Sequence, residues 1–324
     1  MLLIEALEQG LVPELGKPEK IITTFISKLF IYSEQVFKVY KHEPFFFADL
    51  SAFKDRKGFF AEDFFWNNTA APEIYQHLWG VKEQNGTFVL VPAGMGEDFM
   101  IEMRRIDDSK TLTKLLLAGK LSEEDAALFI DSLVDILRVL TRERRNELDH
   151  LFKKGLLQIM RDEMTSYHSR LEEGQSPIDK KEIASFIELL QRAVENIPYF
   201  TEMPEKLLSV TIDNNSSNVL ILEGKPSYID IMPPLEIWRV VDEYSTIART
   251  VADMEVLGGQ KLGNAAREAY RKYGRAVPQA AQLAYEIRGA GIQWTYRHQL
   301  GEHDVAERFG NYTKTKMKEL EALL

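Results

Sequence analysis

The sequence predicts an α+β protein with two parts: a small antiparallel sheet with one main helix over residues 1–106, and a larger, mainly helical part over residues 107–324. Three observations predict this fold class. Residues 21–41 are dense in β-branched and aromatic side chains, which favour strands. Asn85-Gly86 separates two short apolar runs, which is a strong hairpin signal. After Ile106, apolar residues recur at helical spacing.

The first part is predicted to contain a short amphipathic helix, three strands, a longer helix and three more strands. The short helix lies within residues 1–15 and ends before Gly16. The longer helix spans Leu50–Asn68 and is followed by Pro72, which cannot continue a helix. The six strands are expected at Ile21–Ser27, Lys28–Ser33, Val36–Lys41, Gly80–Glu83, Thr87–Pro92 and Asp98–Arg104.

The second part is predicted to be helical, with one interruption. Val219–Leu222 and Ser227–Ile231 have strand-forming residues and are joined by a turn with Gly224 and Pro226, so we expect a hairpin. A further turn is expected at residues 173–177. The helices are expected at Thr111–Gly119, Ser122–Glu147, Asp149–Glu173, Asp179–Asn196, Leu235–Leu257, Ala265–Ala290 and Val305–Leu323.

Composition excludes several classes of protein. The 324 residues are 45% hydrophobic and 28% charged, which is ordinary for a globular chain with a buried core. A net charge of −10 is a poor fit to nucleic-acid binding. The absence of cysteine excludes disulfides, thiolate zinc sites and thiol catalysis. No uncharged run approaches about 18 residues and the N-terminus lacks a basic signal region, so we expect a cytoplasmic protein without a membrane partner. The oligomeric state stays open.

The stretch Val210–Ile231 carries the most chemistry. In phosphoryl transfer one aspartate accepts the proton of the attacking hydroxyl, while an amide oxygen and a second carboxylate hold Mg²⁺ on the nucleotide phosphates. The spacing Asp213-x4-Asn218, followed by a hairpin and Asp230, suits that reaction. An Asx-rich loop capped by its own side chains would have the same composition, and this alternative stays open here.

Seven segments share a resemblance to one family. They are T-F-I-S (24–27), V-F-K-V-Y-K (36–41), the run 56–75 that ends in A-P-E-I-Y, E-M-R-R-I (102–106), T-I-D-N-N-S-S-N-V (211–219), Y-I-D-I (228–231) and V-V-D-E-Y-S-T-I-A-R-T (240–250). With these segments the chain resembles the aminoglycoside phosphotransferase-like branch of the protein kinase-like superfamily, and within it a bacterial group of predicted phosphotransferases. The resemblance covers roughly residues 20–300. It implies a two-lobed kinase-like fold, with a nucleotide-binding N-terminal lobe and a helical C-terminal lobe that carries the catalytic loop.

The resemblance implies a nucleotide site in the first part. Lys38 would pair with the α- and β-phosphates, and a carboxylate of the helix would hold the lysine. We select Glu62 for that carboxylate, with Asp63 adjacent, because helix phase cannot be set to one residue from sequence. The backbone of the hinge Met103–Ile106 would meet adenine. The predicted nucleotide-binding residues besides Lys38 and Glu62 are Ser27, Met103 and Arg105.

The resemblance also implies the catalytic and metal-binding residues. Asp213 would be the catalytic base, acting together with Lys38. Asn218 and Asp230 would bind Mg²⁺. The donor implied by the resemblance is ATP or GTP, and the acceptor is a hydroxyl group on a small molecule.

The chain departs from the family pattern in its catalytic loop. The His-Gly pair before the catalytic aspartate is Thr211-Ile212 here, and an aspartate of the following helix is Thr246. A β-branched residue such as Ile212 does not readily adopt the positive φ that is open to glycine. Two further hypotheses therefore stay open. The protein is a catalytically weak or inactive kinase-like module that binds a nucleotide or a partner, or it is a purely structural α+β protein.

Overall fold

The computed structural model describes residues 2–45, 48–172, 178–202 and 208–324. The chain separates into two compact units. The first unit consists of Met1–Asp108 and Tyr228–Leu235, and the second consists of Ser109–Ser227 and Glu236–Leu324. The chain therefore returns to the first unit for eight residues, which begin within the second strand of the predicted hairpin. The turn predicted at residues 173–177 lies outside the described residues.

The first unit contains a six-stranded sheet, one long helix and a short N-terminal helix. Its strands follow the spatial order β1-β2-β3-β8-β6-β7, and every pair of neighbours is antiparallel. A pair of two-residue strands, β4 and β5, lies apart from this sheet. The elements are α1 Leu3–Gln9, β1 Lys20–Thr23, β2 Ser27–Ile31, β3 Gln35–Tyr40, β4 Pro44–Phe45, β5 Ala48–Asp49, α2 Phe53–Ala70, β6 Tyr75–Gln84, β7 Thr87–Pro92 and β8 Asp98–Arg104.

The core of the first unit lies between α2 and the middle of the sheet. β3 and β8 are the two central strands, and most of their residues are buried. The ring of Phe60 on α2 lies 5.8 Å from that of Phe99 on β8 and 4.7 Å from that of Tyr40 on β3. Burial of such rings is the main stabilising term for a helix packed on a sheet. β1, at the edge, is exposed along its whole length.

The second unit is mainly helical. Apolar residues of α4 are buried at helical spacing, from Ala126 to Leu140, which fixes the face that this helix turns to the core. Its elements are α3 Leu112–Leu117, α4 Glu123–Arg144, α5 Asp149–Phe152, α6 Leu156–Glu172, α7 Lys180–Asn196, α8 Pro198–Glu202, β9 Leu208–Val210, β10 Val219–Leu222, β11 Lys225–Tyr228, β12 Val240–Asp242, α9 Glu243–Asp253, α10 Gln260–Arg271, α11 Gln279–Gln299 and α12 His303–Glu321.

The predicted hairpin is confirmed, since β10 and β11 form a two-stranded sheet, but its second strand spans Lys225–Tyr228 and not the predicted Ser227–Ile231. The helix predicted over Leu235–Leu257 is wrong at its start. Residues 240–242 form β12, which pairs with β9, and α9 begins at Glu243 because the Asp242 side chain accepts the N–H of Tyr244.

Two other predicted helices are each interrupted. Residues 265–290 belong to α10 and α11, which are separated where Gly274 has a φ of 74° and Pro278 precedes the second helix. Likewise, Gly155 with a φ of 76° separates α5 from α6. Among the described residues, no helix has both the length and the apolar composition that crossing a bilayer requires.

Candidate functional site

Lys38 is a charged residue that is buried in the first unit. It lies on the central strand β3 and is only 4% exposed. Its Nζ atom lies 2.6 Å from Oδ1 of Asp230 and 3.1 Å from Oδ2 of Asp63. Asp63 is 2% exposed on α2, while the side chain of Asp230 is 58% exposed. One buried ammonium is therefore held by one buried and one accessible carboxylate.

Electrostatics keep this lysine charged. Burial alone would lower the pKa of Lys38, but the attraction of Asp230 and Asp63 outweighs burial and raises that pKa well above its ordinary value. For Asp63 burial is the largest effect, and it raises the pKa of this carboxyl although Lys38 opposes the change. The Tyr40 ring, whose centroid lies 5.1 Å from Nζ, adds a cation–π contact.

The carboxylate that meets Lys38 on the helix is Asp63, and the prediction that assigned this contact to Glu62 is wrong. Adjacent helical residues point about 100° apart, so only one of them can face the sheet. Asp63 is the buried one, and Asn67 one turn later donates from Nδ2 to its Oδ1 at 2.8 Å.

Asp230 has an unusual backbone. Its φ is 51°, in the left-handed region that aspartate tolerates better than most residues. Its N–H donates to the hydroxyl oxygen of Tyr75 at 2.9 Å, and the next N–H, of Ile231, donates to Oδ1 of Asn67 at 3.1 Å. These contacts attach the segment to α2 and to the start of β6.

The predicted catalytic loop lies in the second unit, between β9 and β10. Oδ1 of Asp213 lies 2.8 Å from NH1 of Arg249 on α9. Asn215 also donates to this oxygen, at 3.4 Å. The amide nitrogen of Asn218 donates to the backbone carbonyl of Asp213 at 3.2 Å. One carboxylate oxygen of Asp213 is therefore engaged within the unit.

Helix α9 supports this loop through polar contacts. The hydroxyls of Thr211 and Thr246 lie 2.7 Å apart. Asn214 donates from Nδ2 to the carbonyl of Thr246 and to Oγ1 of Thr250, at 2.9 and 2.7 Å. The N–H of Ser216 donates to Oδ2 of Asp253 at 2.7 Å. Thr211 and Thr246, two departures from the family pattern, are thus partners of each other.

The replacement of the family's glycine by Ile212 does not require a left-handed backbone. Among the described residues, the non-glycine positions with positive φ are Asn85, Glu223 and Asp230. The Ile212 side chain is 2% exposed and belongs to the core. A buried apolar side chain therefore occupies the position at which the family pattern has glycine.

The other predicted nucleotide-binding residues already have partners in the first unit. The N–H of Ser27 donates to Oγ1 of Thr24 at 2.9 Å. Arg105 donates from NH1 to Glu19 at 2.7 Å and to the carbonyl of Tyr32 at 2.8 Å. Met103 pairs with Val36 and Tyr75 in the sheet. Contacts of Ser27, Met103 and Arg105 with a nucleotide stay predictions.

The residues predicted to bind Mg²⁺ are chemically suited to it. Mg²⁺ prefers oxygen ligands and commonly uses one or two carboxylates together with waters and phosphate oxygens. Asp230 has a carboxylate whose side chain is 58% exposed, and Asn218 carries an amide oxygen, so both residues have the ligand atoms that Mg²⁺ prefers. Within the described residues, no cluster of three or more His, Asp or Glu side chains could hold a metal by itself. The assignment of Asn218 and Asp230 stays a prediction.

Comparison with known proteins rests on structure alone. No family model matches the sequence, and no curated protein matches it. Solved structures do match. The GDP and kanamycin complex of APH(2")-IIia has a TM-score of 0.54 at 9% identity, covering 98% of this chain and 99% of that chain. The chain has the fold of an aminoglycoside phosphotransferase.

Two other solved structures have the same fold. A thermostable mutant of aminoglycoside phosphotransferase APH(4)-Ia matches with a TM-score of 0.55 at 13% identity, over 96% of this chain and 98% of that chain. Choline kinase from Cryptosporidium parvum Iowa II matches with a TM-score of 0.55 at 15% identity, over 94% of this chain and 90% of that chain. The predicted two-lobed, kinase-like α+β fold is thereby confirmed.

Sequence reasoning missed several residues around these sites. Asn67 could have been found from its position four residues after Asp63, which places both on one helix face. Tyr75 ends the A-P-E-I-Y segment, but nothing local connects it with Asp230. Arg249 carries no sequence signal for contact with Asp213, since the two lie 36 positions apart.

Proposed function

We propose that this protein is a phosphotransferase that moves the γ-phosphoryl group of ATP or GTP to a hydroxyl of a small molecule. The observation that carries the proposal is Lys38, a buried ammonium held between Asp63 and Asp230 in a chain of this fold. Burying a cation is costly unless it is paired. A strand lysine that stays charged despite this desolvation cost is suited to binding a strongly anionic ligand.

The proposed reaction gives each predicted site residue one role. Lys38 binds phosphate oxygens and is held by Asp63. When bound, Mg²⁺ neutralises charge on the phosphates, and Asp230 and Asn218 are the residues that would hold it. Asp213 orients the acceptor hydroxyl and takes its proton as the new oxygen–phosphorus bond forms and the bond to the β-phosphate oxygen breaks. The nucleoside diphosphate leaves, and the proton passes from Asp213 to solvent.

The geometry of Asp213 bears on this role. Its Oδ1 is engaged by Arg249 and Asn215, so the acceptor hydroxyl would approach Oδ2. A carboxylate oriented in this way pays little entropy when the acceptor arrives, which favours a productive geometry. Catalysis of this kind depends on position and charge more than on covalent chemistry.

The first experiment measures acceptor-stimulated release of ADP with Mg²⁺ present. The acceptor panel includes kanamycin, hygromycin B and choline, because structures of this fold bear these names. We expect Asp213→Asn to lower kcat about a hundredfold or more while nucleotide binding persists. The matched control is Asp304→Asn, which removes an exposed carboxylate at the start of α12 and should leave kcat unchanged.

A second candidate function is a nucleotide-binding module without turnover. The pairing of Asp213 with Arg249 favours it, because a guanidinium already occupies one oxygen of the carboxylate that the acceptor hydroxyl would approach. Thermal-shift titration separates the two functions, since a ligand that binds only the native state raises the melting temperature. A rise with nucleotide, combined with no stimulated turnover by any acceptor, would support the module and contradict the transferase. No rise with either ATP or GTP would contradict both.

A further inference from the structure

Asn67 joins two parts of the first unit that are far apart in sequence. It is fully buried on α2. Its Nδ2 donates to the carbonyl and to Oδ1 of Asp63, at 2.9 and 2.8 Å, and its Oδ1 accepts the N–H of Ile231 at 3.1 Å. A single amide thus contacts the residue that holds Lys38 and the residue that follows Asp230.

Tyr75 makes the neighbouring contact. Its side chain is buried at the start of β6, and its hydroxyl oxygen accepts the N–H of Asp230 at 2.9 Å. Two consecutive backbone N–H groups, of Asp230 and Ile231, are therefore satisfied by side chains instead of by a strand partner. Buried N–H groups are costly to leave unpaired, so this arrangement fixes the local path of the chain.

The backbone of Asp230 explains why such support matters. A left-handed conformation at a residue other than glycine persists only where the surrounding structure holds it. In this conformation the Asp230 carboxylate reaches Lys38 at 2.6 Å. If residue 230 relaxed to an extended conformation, its side chain would point elsewhere. The contacts of Tyr75 and Asn67 act at the two peptide groups that would have to rotate.

We infer that Asn67 and Tyr75 are positioning residues that aim the Asp230 carboxylate and, through Asp63, hold the Lys38 ammonium in a matching place. This inference rests on the proposed function, in which Asp230 would bind Mg²⁺ and Lys38 binds phosphate. It adds that both charged groups depend on one buried pair of polar side chains. Removing a residue that hydrogen-bonds a metal ligand commonly lowers the metal affinity about ten- to a hundredfold.

The test compares Tyr75→Phe and Asn67→Leu with the control Tyr32→Phe. Tyr32 lies in the same unit, and its hydroxyl donates to the carbonyl of Gly16 at 3.4 Å without touching Lys38 or its two carboxylates. The first readout is amide hydrogen exchange, which needs neither metal nor activity. We expect exchange at Asp230 to accelerate about tenfold or more in Tyr75→Phe, because its N–H has lost its acceptor. Exchange at Ile231 should accelerate similarly in Asn67→Leu.

The second readout is the Mg²⁺ concentration that gives half-maximal nucleotide binding. We expect it to rise about tenfold in Tyr75→Phe and to stay unchanged in Tyr32→Phe. Unchanged exchange at Asp230 in a folded Tyr75→Phe protein would overturn the inference. So would faster exchange combined with an unchanged Mg²⁺ requirement, since Tyr75 would then serve stability alone.

Failure of the proposed function gives a different result. In that case wild-type protein binds no nucleotide at any Mg²⁺ concentration, and the metal-binding part of the inference falls with it. The exchange rates then still decide whether Tyr75 and Asn67 hold residues 230 and 231. If Asn67→Leu does not fold, Tyr75→Phe carries the test by itself, because it removes one oxygen without changing the shape of the core.

Discussion

At the scale of single residues, the ion pair of Lys38 and Asp63 places two charged side chains in the interior of the first unit. Both are almost completely buried, and each compensates the desolvation of the other. Their separation of 25 positions means that β3 and α2 must pack correctly before the pair forms. A buried ion pair contributes little net stability, but removing one partner leaves an uncompensated charge.

Replacing Lys38 by methionine tests this description. We expect Lys38→Met to lower the free energy of unfolding by about 3–5 kcal/mol near pH 8, because Asp63 stays buried without its cation. The pKa of Asp63, already raised by burial, should rise further. A raised folded-state pKa stabilises the protein below the ordinary carboxyl pKa of about 4, and this stabilisation is lost as pH rises through the folded-state value. The deficit should therefore be smaller at pH 5 than at pH 8.

Urea denaturation at the two pH values measures the deficit. The control is Lys82→Met, which removes a lysine from an exposed pair with Glu97 and should change stability by less than about 1 kcal/mol at either pH. An equal loss at pH 5 and pH 8 for Lys38→Met would show that Asp63 does not take up a proton.

The sequence predicts Lys38 itself, but it does not identify the residue on α2 that contacts it. The segments that carry the family resemblance were enough to predict Lys38 as a site residue. They were not enough to choose between Glu62 and Asp63. That choice depends on how α2 rotates about its axis when its aromatic face packs on the sheet, and packing of distant residues sets that rotation.

At the scale of elements, α9 organises the loop that follows β9. Its residues are buried almost throughout, and four of its side chains contact the loop: Thr246, Arg249, Thr250 and Asp253. The Asp253 carboxyl is fully buried, and burial raises its pKa although Arg249 opposes the change. The helix therefore supports the loop by hydrogen bonds from one face.

The pair Thr211 and Thr246 can be tested by a double-mutant cycle. We expect Thr246→Val to cost about 1–2 kcal/mol of unfolding free energy, because the half-buried hydroxyl of Thr211 loses its partner. Thr211→Val should cost a similar amount. The double replacement should cost less than the sum, since two apolar side chains then meet. Strict additivity in urea denaturation would mean that the two hydroxyls do not interact.

Local pattern located most elements of the second unit but not all of their ends. The apolar stripe and acidic start of α4 determine it without further help, and its Ser122 cap is present. By contrast, the strand at 240–242 is three residues long and exists because β9 pairs with it. Short strands of this kind depend on a partner that is distant in sequence, so single-sequence reasoning continues the helix through them.

At the scale of the whole molecule, buried tyrosines link stability to alkaline pH. Among the described residues, five tyrosines are at most 2% exposed, and burial is the main cause that raises the pKa of each phenol. They are Tyr40, Tyr75, Tyr244, Tyr270 and Tyr285. The first two belong to one unit and the other three to the second. Both units should therefore respond to high pH.

We expect the free energy of unfolding to fall steeply above about pH 10. The folded chain retains phenolic protons that the unfolded chain releases near pH 10, so stability is complete below that pH and declines above it. Each retained proton contributes about 1.4 kcal/mol per pH unit. Lys38 acts in the same direction above about pH 10.5, because its pKa is also raised.

Melting temperatures from pH 8 to 12, with phenol absorbance recorded in parallel, provide the measurement. The buried phenols should ionise together with unfolding. Ionisation of all twelve phenols near pH 10 without loss of ellipticity would contradict the burial of these five side chains.

The sequence by itself determined the fold class and the presence of a hairpin, and it supplied the predicted division into two lobes and the predicted site residues. These follow from periodicity, turn residues and short segments, which are local properties of the chain. Only the tertiary structure decided that Asp63 and not Glu62 meets Lys38, that Tyr75 holds Asp230, and that Arg249 meets Asp213. These partners lie 25 to 155 positions apart, and packing between elements that are distant in sequence, which no local pattern encodes, brings each pair together.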